Sequence, residues 1–126
     1  ESLRRLLVMV SAMASLAAHA AGDAERGRAI AESRTQGLCV LCHALPGVPA
    51  VQAGTIGPSL AGVGSRLSAD DLRARLTAPE RFNADTVMPS YARSDGFERV
   101  AGARRGKALL DAQQIDDVVA YLATFK

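Results

Sequence analysis

Residues 39–43 read Cys-Val-Leu-Cys-His, and no other stretch limits the possible folds of this chain so tightly. On a helical turn, positions i and i+3 lie on one face. Cys39 and Cys42 can therefore offer two sulfurs to one edge of a flat macrocycle, while His43, one residue on, offers an imidazole to a metal at its centre. That spacing is the attachment signature of a c-type haem. The chain must then fold around a cofactor, with a cleft deep enough to cover it.

Other chemistries use two nearby thiols. A structural zinc site needs four ligands, and beyond Cys39, Cys42 and His43 the chain holds only the distant His19. A thioredoxin-type pair needs a preceding strand and alternating βα units, which the sequence does not display. A disulfide across so short a loop would stabilise little. These remain the alternatives to haem attachment.

The first twenty residues read as an export signal. Arg4 and Arg5 form a basic start, residues 6–18 are an apolar run, and Ala18-His19-Ala20 is a small-x-small cleavage site. The run is too short to span a bilayer, although an uncleaved anchor is an alternative. Since the chain opens at Glu1 rather than Met, its N-terminus is expected to be incomplete. Export agrees with the motif, because haem c is attached outside the bacterial cytoplasm, where thiols can also oxidise. The expected division is a signal over residues 1–20 and one domain over residues 21–126. A core that small is marginal, so folding should depend on the cofactor.

The formal charge of +2 gives no argument for nucleic acid or for an anionic membrane surface. One local bias exists: between residues 91 and 110, Arg93, Arg99, Arg104, Arg105 and Lys107 face only Asp95 and Glu98. A solvated loop and a docking surface for an acidic partner or an anion are the two readings.

Removal of the signal takes away His19, Met9 and Met13, which leaves one histidine and one methionine. Met88 is therefore the candidate for the sixth iron ligand, opposite His43. Pro89 biases the residues before it toward extended backbone, as a loop needs if it is to hold one side chain against a metal. A buried core methionine is the plain alternative. A His/Met pair raises the reduction potential and fills both axial sites, so electron transfer is the expected use of the iron.

Helical signals frame the motif. Residues 23–36 have helical composition, with Ala24, Gly27 and Ala31 forming a strip of small residues. Glycine within a helix costs about 1 kcal/mol against alanine, so Gly27 implies close approach of another element. The candidate is a C-terminal helix over residues 111–125, with Ile115, Val118, Val119 and Leu122 on one face and Asp111 and Gln114 as a capping box. A third helix is expected over residues 69–77, capped by Ser68 and stopped by Pro79. Residues 54–60 are turn formers. With no useful strand pattern, the fold class is all-α.

This order of elements resembles a class I cytochrome c over residues 21–126: a helix with an inward glycine, Cys-x-x-Cys-His, Gly57-Pro58-x-Leu60, a short helix, Met88-Pro89 and an amphipathic last helix. The resemblance implies that the carbonyl of Pro58 accepts a hydrogen bond from the second ring nitrogen of His43, the outer support usual for a metal-bound imidazole. Three stretches carry a narrower likeness to the SoxX family of the SoxXA cytochromes: Ala53-Gly-Thr-Ile-Gly-Pro-Ser-Leu-Ala-Gly-Val-Gly-Ser-Arg66, Asp85-Thr-Val-Met-Pro-Ser-Tyr91 and Gln113-Gln-Ile-Asp-Asp-Val-Val-Ala-Tyr-Leu122. It implies one covalent haem c per chain and a periplasmic heterodimer with a SoxA-like monohaem or dihaem cytochrome. The implied activity is that of an L-cysteine S-thiosulfotransferase, which joins thiosulfate to a cysteine of a SoxY-like carrier protein. This chain would accept the released electrons and pass them to a downstream cytochrome c. Thioether links would use up Cys39 and Cys42, so no catalytic nucleophile is expected here and the sulfur chemistry falls to the partner. A stand-alone electron carrier is the main alternative. A haem-based gas-binding protein is a second, and it would require Met88 to be displaced.

Overall fold

The computed structural model describes residues 21–126; the export signal read in residues 1–20 lies outside them. Helix α1 (Ala24–Glu32) starts where the Asp23 carboxylate accepts a hydrogen bond from the Arg26 amide at 2.8 Å, which satisfies one of the free donors of the first turn. It ends four residues before the expected point. The Ser33 hydroxyl accepts from the amides of Thr35 and Gln36 at 3.3 and 3.1 Å, a local bond that competes with continuation of the helix.

Helix α2 (Val63–Arg66) is a single turn entered through Gly62, whose φ of 70° lies in the left-handed region. Four residues hold too few periodic positions for the sequence pattern to reveal it. Helix α3 (Ala69–Thr77) has the expected Ser68–Asp71 capping box, with Leu72 and Leu76 buried. Pro79 does not simply stop the chain but opens a 3₁₀ turn, Pro79–Arg81, as suits a residue without an amide hydrogen. Helix α4 (Ala112–Leu122) carries the Asp111–Gln114 box and buries Ile115, Val118, Val119 and Leu122. It finishes before the expected residue 125. There the Phe125 carbonyl turns to accept from the Gly64 amide at 2.8 Å, and its ring packs edge-on against Tyr121 with centroids 4.7 Å apart.

Helices α1 and α4 cross at Gly27. A Cβ built there would overlap the Asp117 carbonyl oxygen and lie 2.5 Å from the carbonyl carbon, so only glycine allows this approach. Beside the crossing, the Asp117 carboxylate accepts from Asp23 N at 2.8 Å, Arg26 Nε at 2.9 Å and Gln113 Nε2 at 3.1 Å. These bonds hold Asp117 at about 2, well below the ordinary carboxylate value, although the residue is only 2% exposed. Arg73 on α3 reaches Asp116 on α4 at 2.6 Å. Among the described residues there is no strand, and no helix is long and apolar enough to cross a membrane. The fold class is all-α, as expected.

Candidate functional site

The motif sits on a tight turn between α1 and the rest of the chain. Leu38 has a left-handed φ of 63° and leads into the 3₁₀ turn Cys39–Leu41. The amides of Cys42 and His43 then donate to the Cys39 carbonyl at 3.1 and 2.9 Å. Cys39 is 8% exposed, whereas Cys42 and His43 are half-buried. Burial pushes the Cys39 thiol up to about 11.

Residues 54–60 clamp this turn from one side, a role that their turn-forming composition did not reveal. The amides of Gly54, Gly57 and Leu60 donate to the carbonyls of Val40, Cys42 and Ala44 at 2.8, 2.7 and 3.0 Å. Gly57 lies flat against the imidazole: a Cβ there would fall 2.7 Å from Nδ1 and 2.8 Å from Nε2 of His43. The next residue supplies the orienting bond, with His43 Nδ1 2.6 Å from the Pro58 carbonyl oxygen. A carbonyl only accepts, so Nδ1 carries the proton and Nε2 keeps a lone pair for a metal.

Met88 comes from a loop much later in the chain. It is half-buried against the core, and its amide donates to Thr86 Oγ1 at 3.1 Å. Two residues later the loop is fastened to the end of α3. The Ser90 hydroxyl donates to the Thr77 carbonyl, and the Tyr91 amide donates to the Leu76 carbonyl at 2.9 Å. Tyr91 was missed as a site residue; the signal was an aromatic three positions after the candidate ligand, in a stretch otherwise poor in them.

The structure places Cys39, Cys42, His43, Pro58 and Met88 on one cavity of about 780 Å³, together with Leu60, Val63, Leu72, Leu76 and Leu122. That volume is within the roughly 300–1,000 Å³ of ligand and cofactor sites. Two sulfurs, an imidazole and a thioether on one cavity with a largely apolar lining are the donor set and the surface that a haem c needs. Gly57, whose missing side chain makes room for the ring, completes the fit. Among the described residues no three His, Cys, Asp or Glu side chains gather as a metal site, so the zinc reading has no geometry behind it. At the mouth, Ile56, Val87, Leu41 and Phe82 are exposed, Ile56 by 71% and Val87 by 80%.

An all-helical frame with such a cleft is that of a haem-attaching electron carrier. The cytochrome c family model matches residues 24–126, and the chain belongs to the cytochrome c family. Its structure is also similar to a chain in the crystal structure of SoxXA from P. pantotrophus: the TM-score is 0.74 and the identity 38%, over 85% of this chain and 84% of that one. No curated protein matches the chain. With a single Cys-x-x-Cys-His motif, the chain is a SoxX-like monohaem cytochrome with covalently bound haem c.

Proposed function

We propose that this chain is the electron-accepting subunit of a periplasmic, SoxXA-like thiosulfate-oxidising complex. In this reading Cys39 and Cys42 hold the haem through thioether bonds and His43 and Met88 are its axial ligands. The Pro58 carbonyl fixes the ring plane and tautomer of His43 through the 2.6 Å bond from Nδ1. Bound haem c supplies a one-electron iron couple whose potential is raised by a His/Met ligand pair. The apolar wall of Leu60, Val63, Leu72, Leu76 and Leu122 excludes water from that couple. The observation that carries the reading is the meeting of all five residues on one cavity, in a chain 38% identical to its SoxXA neighbour.

The partner is a SoxA-like cytochrome that carries out the sulfur chemistry, joining thiosulfate to the cysteine of a SoxY-like carrier. Both thiols of this chain lie in the haem cleft, which supports that division of labour. The exposed apolar side chains at the cleft mouth suit a lasting contact with such a subunit. The basic loop suits a transient one. Arg99, Arg104, Arg105 and Lys107 outnumber Asp95 and Glu98 around a depression of about 750 Å³ that Phe97, Val100 and Leu109 also line. No carboxylate pairs with any of the four among the described residues. Pro89 borders both this depression and the haem cleft, so a negatively charged partner such as a downstream cytochrome c could dock within reach of the site.

Purification from periplasm tests the proposal. A stable heterodimer with a second haem protein and haem reduction dependent on thiosulfate are expected. A monomer indifferent to thiosulfate would replace this reading with that of a stand-alone carrier.

A further inference from the structure

The Met88 segment belongs to no helix, and residues 92–99 and 101–107 beyond it are all exposed. Its grip on the protein therefore rests on Ser90 and Tyr91, which are 6% and 3% exposed. Four of the bonds made by this pair stay within residues 76–110: Ser90 hydroxyl to Thr77, Tyr91 amide to Leu76, the Arg93 amide to the Ser90 carbonyl at 3.3 Å, and the Leu110 amide to the Tyr91 carbonyl at 3.1 Å. The fifth crosses the molecule. The Tyr91 hydroxyl donates to the Gly37 carbonyl oxygen, two residues before Cys39. Among the described residues it is the only hydrogen bond joining residues 83–110 to residues 21–60.

Its anchor is itself fixed. The Gly37 amide donates to the last turn of α1 at Ile30 O, 3.0 Å, and the Leu38 amide to Ser33 O, 2.9 Å. The Cys39 thiol also points to the Gly37 carbonyl, 3.6 Å away. A thioether has no S–H hydrogen, so once haem is attached the tyrosine is the one side-chain donor left to that carbonyl. Burial also keeps this phenol protonated, since it raises the Tyr91 hydroxyl well above its ordinary value.

We propose that Tyr91 is a positioning residue whose hydroxyl ties the Met88 loop to the base of the haem-attachment turn and so holds the methionine sulfur in place against competing ligands. The inference rests on the assignment of Met88 as axial ligand. Removing the hydroxyl leaves the four backbone and serine bonds in place and frees only the crossing tie. The loop would then open more often without unfolding the protein, and an external ligand that needs the open form would bind in proportion to its population.

The test is imidazole binding to the oxidised holoprotein, followed by loss of the far-red sulfur-to-iron band. Tyr91→Phe is expected to keep that band in the absence of imidazole and to bind imidazole about tenfold more tightly, the size of one buried hydrogen bond. Ile115→Val, a core change on α4 at a residue that does not line the haem cavity, is expected to lower the melting temperature without altering imidazole affinity. Unchanged affinity in Tyr91→Phe, or an equal rise in Ile115→Val, overturns the positioning role. Met88→Ala separates this from the ligand assignment: if the band persists in Met88→Ala, the ligand is elsewhere and the proposal falls with it. If Met88→Ala abolishes the band while Tyr91→Phe leaves affinity unchanged, the ligand stands and the tie does not.

Discussion

Gly27→Ala gives a sharp test of the α1–α4 crossing, because two effects of opposite sign compete and the structure decides between them. In an exposed helix the substitution stabilises by about 1 kcal/mol through helix propensity. Here the new Cβ would lie 2.5 Å from the Asp117 carbonyl carbon and 2.9 Å from Tyr121 Cβ. Carbon atoms at rest stand about 3.5 Å apart, so the helices would have to part by about 1 Å, a gap that forfeits up to about half of each facing dispersion contact. The obstacle is backbone and cannot swing aside, which puts the cost near the upper end of the usual overpacking range, about 3 kcal/mol. The net is about 2 kcal/mol of destabilisation, or a fall of about 8–16 °C in melting temperature for a domain of this size. Thermal unfolding of the oxidised holoprotein, followed by far-ultraviolet circular dichroism, measures it. Ala29→Gly, at an exposed position on the same helix, supplies the scale, with an expected loss of about 1 kcal/mol from propensity alone. A rise in melting temperature for Gly27→Ala would refute the close approach and leave Gly27 an ordinary surface glycine.

Asp117→Asn should cost about 1.5 kcal/mol at neutral pH, since it removes charge from a carboxylate with donors from three neighbouring residues, while the half-exposed Arg26 is screened by solvent. The folded value of Asp117 is depressed, so its contribution is present above about pH 4 and lost as pH falls toward 2; melting curves of the two proteins should converge over that range, and a constant gap would mean that charge is not the cause. Gly57→Ala should displace the His43 ring and its bond to Pro58, lowering the reduction potential and weakening axial ligation, and an unchanged potential and spectrum would remove Gly57 from the site. Cys39→Ser should leave at most one thioether and shift the pyridine haemochrome spectrum; an unshifted spectrum would refute attachment at Cys39. Neutralising Arg104 and Arg105 should slow electron exchange with an acidic partner severalfold at low salt and not at high salt, whereas equal rates in both conditions would leave the basic loop a solvated surface.

Much of this protein was legible before any coordinate. The motif at residues 39–43 announced the cofactor. Capping residues placed the starts of α3 and α4 correctly at Ser68 and Asp111, and helical composition placed that of α1 near Asp23. The ends were less readable. Ser33 diverted α1 through its own side chain, and the Phe125 carbonyl left α4 for a bond to Gly64, a contact 61 residues away in sequence. Helix α2 was missed because one turn has no period. The aspartate at 117 lies beside the apolar stripe of α4, where the pattern alone gives no reason for a charge. Its reason is Arg26 and the start of α1, residues that come near only when the helices cross.

By itself the sequence determined the cofactor and the local structure, because the Cys-x-x-Cys-His spacing and the helix caps are set by residues within a few positions of one another. Tertiary structure decided whether those pieces could act together. Met88 lies 45 residues from His43, and nothing local brings its thioether to the same cavity. That meeting depends on Gly27 letting α1 and α4 close and on residues 54–60 gripping the motif, and it is braced by Tyr91 reaching across to Gly37. Each is a contact between distant segments, whose energy appears only after the loop entropy of bringing them together has been overcome.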